Sequence, residues 1–138
     1  MLVSGPIIYL EDDIDDQELF KEVFQSLDIS NEIKVFNTCE LVLKYLKTTK
    51  DRPFLIITDV NLPEMSGIQL REEICRDPYL KRKAIPYIFL STSAREADIR
   101  KAYDLDIQGY FQKENTFDAL QSMIKQIVDY WKVCKHPV

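Results

Sequence analysis

Five short apolar runs, each followed by a longer stretch with helical spacing, constrain this 138-residue chain more than any other feature. The runs are residues 6–10 (PIIYL), 33–36 (IKVF), 53–58 (PFLIIT), 86–90 (PYIFL) and 109–112 (GYFQ). All are strand-sized. After the first, Leu19, Val23 and Leu27 recur four apart with Phe20 and Phe24 beside them. Thr38 is placed to cap a helix carrying Leu41, Val42, Tyr45 and Leu46. Leu70 and Ile74 mark the next helix, and Ile99, Ala102 and Tyr103 the one after it. In the last stretch Phe117, Leu120, Ile124, Ile127, Val128 and Trp131 draw one apolar stripe.

Consecutive parallel strands need crossovers, and the helices supply them. Runs one, three and four are almost continuously apolar, as expected when both faces of a sheet are covered. The expected fold is α/β, a doubly wound five-stranded parallel sheet of (βα)5 type. No internal repeat, linker or low-complexity stretch interrupts it. One domain is expected over residues 1–138, with a core at about 5–132, a C-terminal tail at 133–138 and no output domain. The lone His136 in that tail is expected to be solvated. Phe117, Tyr130 and Trp131 read first as core and second as contributors to a homodimer through the last-helix face.

In such sheets the site lies beyond the C-terminal strand ends. Run one ends in Glu11, Asp12 and Asp13, run three in Asp59, run four in Ser91 and Thr92, and run five in Lys113. Several carboxylates held close together cannot all ionise without a compensating cation. A hard divalent ion with oxygen ligands, Mg2+ or Mn2+, meets that need and bridges carboxylates to phosphoryl oxygens. A lysine and a hydroxyl opposite would hold the remaining phosphoryl oxygens, leaving one carboxylate as nucleophile. Asp59 is the candidate, since it follows a buried strand and precedes the loop VNLPEMSG, in which Pro63 and Gly67 shape a turn. Asn61, two residues on, is placed to offer its backbone carbonyl to the metal. Asp15 and Asp16 are assigned to the start of the first helix, where the dipole favours negative charge.

A formal charge of −5 argues against non-specific nucleic-acid binding, which needs basic surface. No apolar run approaches the roughly 20 residues of a membrane span, and no signal-peptide pattern precedes run one. Cys39, Cys75 and Cys134 are too few and too scattered for a disulfide framework or zinc pattern. They read as free thiols of a cytoplasmic protein.

YLEDD after run one, TDVNLPEMSG after run three, FLSTS at run four and GYFQK at run five together resemble the receiver domains of two-component response regulators, the CheY-like family. The resemblance covers nearly the whole chain and implies the strand order 2-1-3-4-5. It implies Asp59 as phosphoacceptor, with Glu11, Asp12, Asp59 and the Asn61 carbonyl as the metal set. Ser91 falls on the switch hydroxyl, Lys113 on the phosphoryl-contacting lysine and Tyr110 on the aromatic switch. Such a chain is a signalling switch that catalyses only its own phosphorylation and dephosphorylation. Its implied donor is a sensor histidine kinase or histidine phosphotransfer protein, and its target a downstream protein, with no role for DNA or membrane. The remodelled face would be the helix around Ile99–Tyr103, strand five and the last helix.

Two departures stand out. Glu114 follows the lysine where many receivers have proline. The stretch between Asp12 and Asp59 is longer than usual, with the surplus expected in a surface loop at TTKDRP. Three rivals remain. One is a receiver-like interaction module that takes no phosphate. Another is an aspartate-nucleophile phosphatase, for which Asp13-Ile14-Asp15 lies past the strand end and no cap domain is present. The third is a flavin binder, which an acidic loop after strand one disfavours.

Overall fold

The runs form β1 (Ile7–Leu10), β2 (Ile33–Phe36), β3 (Leu55–Thr58), β4 (Tyr87–Ser91) and β5 (Gly109–Gln112), all parallel, in the order β2-β1-β3-β4-β5. This computed structural model describes residues 2–137. The crossovers are α1 (Ile14–Ser26), α2 (Cys39–Thr48), α3 (Gly67–Arg76) with α4 (Pro78–Arg82), and α5 (Glu96–Asp104), and α6 (Phe117–Val133) follows the last strand. A single 3-10 turn, Leu2–Ser4, precedes β1.

Strand alternation sends side chains to two separate cores. Ile8, Leu10, Ile56, Tyr87 and Phe89 pack with residues of α2, α3, α4 and α5 on one face. Ile7, Tyr9, Leu55, Ile57, Ile88 and Leu90 pack with α1 and α6 on the other. There Phe20 stacks on Tyr9 with ring centroids 3.6 Å apart. No described helix is long and apolar enough to cross a membrane.

Register decides what meets at the C-terminal edge. Leu10 pairs with Thr58, so Glu11 and Asp59 leave adjacent strands side by side. Ser91 pairs with Gln112, which sets Lys113 next to Ser91, and the Lys113 amide donates to the Ser91 carbonyl at 2.7 Å.

The structure corrects several local expectations. The fully buried face of α1 is Gln17, Phe20, Val23 and Phe24, whereas Leu19 and Leu27 are only partly covered. Leu41 is half exposed although Thr38 does cap its helix. α4 has no counterpart in the sequence pattern, because five residues cannot draw a stripe. Its start is encoded all the same, by Asp77 as N-cap and Pro78 in the first turn. The TTKDRP stretch begins in α2 at Thr48, runs at the surface through Lys50 and Asp51, and is tethered at its end. Arg52 donates to the Lys83 carbonyl, and Pro53 and Phe54 are buried.

Tyr130, 61 % exposed, is not core, and Phe117 lies at the margin. The tail folds back. His136 Nε2 is 2.9 Å from the Trp131 carbonyl, and its ring packs near Phe54. The only imidazole in the sequence is thus half-buried against α6 rather than solvated.

Candidate functional site

Asp59 sits where β3 ends, 8 % exposed. Its Oδ1 accepts from the Ser91 hydroxyl at 2.7 Å and from the Asn61 amide at 3.3 Å. Its Oδ2 lies 3.6 Å from Lys113 Nζ. Ser91, the last residue of β4, is fully buried, and its oxygen also accepts from the Ser93 amide at 3.2 Å. Thr92 points to solvent, so alternation along β4 selects Ser91 as the hydroxyl facing the aspartate.

Glu11 is almost fully buried. One oxygen accepts from the backbone amides of Asp12 and Asp13, at 3.0 and 3.2 Å. The other is paired with the Lys113 ammonium. Gln17 steadies this corner from α1, donating to the Glu11 carbonyl and to Asn37 Oδ1 at 2.8 Å. Burial pushes the Glu11 carboxyl above its usual range, against the pull of Lys113. Burial alone would lower the Lys113 pKa, but Glu11, Asp59 and Asp16 raise it, and the amine stays charged.

The acidic run after β1 divides differently from the sequence expectation. Asp13 is the N-cap of α1, accepting from the Asp16 amide at 3.1 Å. Asp16, assigned to the helix start alone, also reaches Lys113 Nζ at 3.2 Å. Its position in the first turn of α1 brings it back over the strand end. Asp12 is exposed, and its carboxylate makes no hydrogen bond or ion pair among the described residues.

Glu11, Asp12 and Asp59 do not form a closed cage. Among the described residues no three acidic, histidine or cysteine side chains converge as a ready metal centre. Lys113 already compensates Glu11. Yet Glu11, Asp16 and Asp59 are three carboxylates against one ammonium. The donors are all oxygen, the Asp12 carboxylate is free, and two negative charges remain uncompensated. Such an all-oxygen, acidic donor set suits a hard dication.

The aromatic position is engaged as well. The Tyr110 hydroxyl donates to the Ser93 carbonyl at 2.8 Å, half-buried, with its ring 5.5 Å from Phe89. Ser93 Oγ in turn donates to Asp98 on α5 at 3.1 Å. Burial raises the Tyr110 phenol pKa, so it remains a donor at neutral pH.

The loop after Asp59 turns by an unexpected route. Glu64 takes the left-handed backbone conformation at φ 67°, whereas Gly67 does not. Gly67 is needed for close approach instead: a Cβ there would lie 2.3 Å from the Asp59 carbonyl oxygen and 2.8 Å from the Phe89 ring. Gly67→Ala is therefore expected to destabilise the fold by about 1–3 kcal/mol, as overpacking does. Urea unfolding measures this, and an unchanged midpoint would refute it. The described peptide bonds are all trans, Lys113–Glu114 included.

These four strand ends, with one aspartate met by a hydroxyl and an ammonium, define a receiver-type site on a CheY-like doubly wound sheet. Residues 7–125 match the response regulator receiver domain, and the chain belongs to that family. It is 31 % identical over 130 residues to the response regulator Rcp1 of Synechocystis, covering 91 % of this chain and 87 % of Rcp1. The phosphorylated cyanobacterial phytochrome response regulator RcpA superposes with a TM-score of 0.86 at 31 % identity, covering 97 % of this chain and 99 % of RcpA. The Mn2+-bound form of Rcp1 gives 0.83 at 29 % identity, with 97 % and 99 % covered.

Proposed function

We propose that the chain is a phosphoacceptor of a two-component phosphorelay, with Asp59 as the accepting residue. One observation carries the reading: Ser91 at 2.7 Å and Lys113 at 3.6 Å address the two different oxygens of one buried carboxylate. A phosphoryl group on either oxygen would lie beside a hydroxyl, with an ammonium a short movement away. The donor is a phosphohistidine of a sensor kinase or a histidine phosphotransfer protein. An Asp59 oxygen attacks phosphorus, the O–P bond forms, the P–N bond breaks, and the imidazole leaves and takes a proton from water.

Glu11, Asp12, Asp59 and the Asn61 carbonyl would hold Mg2+ or Mn2+, which neutralises charge on the transferring group. The metal-bound and phosphorylated relatives support this. Ser91 then follows the phosphoryl oxygens and pulls on the Ser93 amide. Tyr110, bonded to the Ser93 carbonyl, senses that shift and passes it to the α5–β5–α6 face. The output is contact with a downstream protein, and a homodimer through the same face is compatible with exposed Tyr103 and Tyr130.

Acetyl phosphate with Mg2+ is expected to add one phosphoryl group, seen as a mass gain that alkali removes. EDTA should prevent the gain. A chain that gains no mass with Mg2+ present overturns the proposal in favour of an interaction module that takes no phosphate.

A further inference from the structure

We infer that Asp16 is a positioning residue that holds Lys113 away from the phosphoryl position in the resting site. The inference rests on the phosphoacceptor reading of Asp59. Lys113 Nζ is shared among three carboxylates at unequal range: paired with Glu11, 3.2 Å from Asp16 and 3.6 Å from Asp59. The contact to Asp59, the group Lys113 would serve, is the longest, beyond hydrogen-bond reach.

Glu11 alone does not account for this. It is anchored by two backbone amides at the end of β1, the strand next to β3. Asp16 reaches the ammonium from α1, and Asp13 caps that helix by accepting the Asp16 amide. The Asp16 backbone is therefore fixed and its carboxylate aimed. An ammonium has three donor hydrogens. Glu11 and Asp16 take two of them, and the attraction of these two carboxylates for one Nζ opposes its movement toward a phosphoryl group on Asp59. Asp16 therefore competes with the phosphoryl group and opposes the activated state.

Asp15 provides the control. It lies in the same first turn, carries the same charge and is exposed, with no hydrogen bond or ion pair among the described residues. Asp15→Asn changes net charge and helix-dipole interaction as Asp16→Asn does, without releasing Lys113.

The test is the affinity of the full chain for beryllium trifluoride, a phosphoryl mimic, measured by calorimetry in saturating Mg2+. Asp16→Asn is expected to bind about two- to fivefold more tightly than Asp15→Asn, the range a part-exposed ion pair supports. Asp16→Glu, which keeps the charge, should return toward wild type. A parallel Mg2+ titration without beryllium fluoride fixes the metal concentration that saturates each Asn variant, so that both are compared fully loaded. Equal beryllofluoride affinities for Asp15→Asn and Asp16→Asn would overturn the role of Asp16 while leaving Asp59 as acceptor. Failure of the wild type to bind beryllofluoride or to gain mass from acetyl phosphate overturns both.

Discussion

Asp59→Asn is expected to abolish phosphoryl labelling while leaving the fold intact. The substitution is nearly isosteric, and the amide keeps an oxygen to accept from Ser91 and from the Asn61 backbone. What disappears is the anionic nucleophile, since an amide oxygen is far weaker than a carboxylate. Lys113 retains Glu11 and Asp16, so no buried charge is left without a partner. The pairing of β3 with β4 is untouched, because its register ends at Thr58 and Phe89, before residues 59 and 91. Stability should therefore change by less than about 1 kcal/mol. Intact-mass analysis after acetyl phosphate treatment measures labelling, and urea unfolding measures the fold. Labelling that survives in the variant would move the nucleophile elsewhere, to the free carboxylate of Asp12 before any other. Loss of labelling together with loss of the fold would make the experiment one about stability.

The same residues show how far a sequence can be read. The five apolar runs are legible because a strand buried on both faces needs a continuous apolar run, and those runs are short. The positions of Asp59, Ser91 and Lys113 follow from the rule that parallel strand ends gather at one edge. Helix faces are read less well. Leu19 and Leu41 fit the spacing of a buried stripe, yet only the packing of α1 and α2 decides which part of the stripe is covered. α4 is a single short helix, below the length at which periodicity carries information, and only Asp77-Pro78 announces it.

Within the site, residue types are legible and their pairings are not. The run Glu11 to Asp16 shows five acids and no indication of which one faces Lys113, 97 residues away from Asp16. The helix geometry of α1 decides that, by turning Asp16 back over the end of β1. Gly67 shows the opposite limit. A glycine in a loop suggests a turn conformation, but the turn is made at Glu64, and Gly67 instead makes room for the Asp59 carbonyl.

Lys113→Met should cause the largest loss of stability, about 3–5 kcal/mol at neutral pH. Methionine is of similar length and leaves little cavity, so the loss reports charge rather than packing. The Lys113 and Glu11 side chains are only 6 % and 2 % exposed. Removing the ammonium leaves the Glu11 carboxylate buried, with Asp59 beside it and two backbone amides as its only compensation. The loss must then depend on pH in a definite sense. Burial already pushes the Glu11 carboxyl above its ordinary value of 4.5, and Lys113 is what pulls it down. Without Lys113 the folded-state pKa rises further, while the unfolded value does not change. A carboxyl raised in the folded state costs nothing below the unfolded value, because both states are protonated there. Above it, stability falls as pH rises, until the folded-state pKa is passed. The deficit of Lys113→Met should therefore be small near pH 4 and grow toward neutrality. Adding Glu11→Gln should restore much of the loss at pH 7, since the amide oxygen still accepts from Asp12 and Asp13 and carries no charge. Urea titrations of the wild type and of the single and double variants across that range measure each term. A deficit that stays flat with pH, or a double variant no more stable than Lys113→Met, would mean that the pair does not hold the strand ends together.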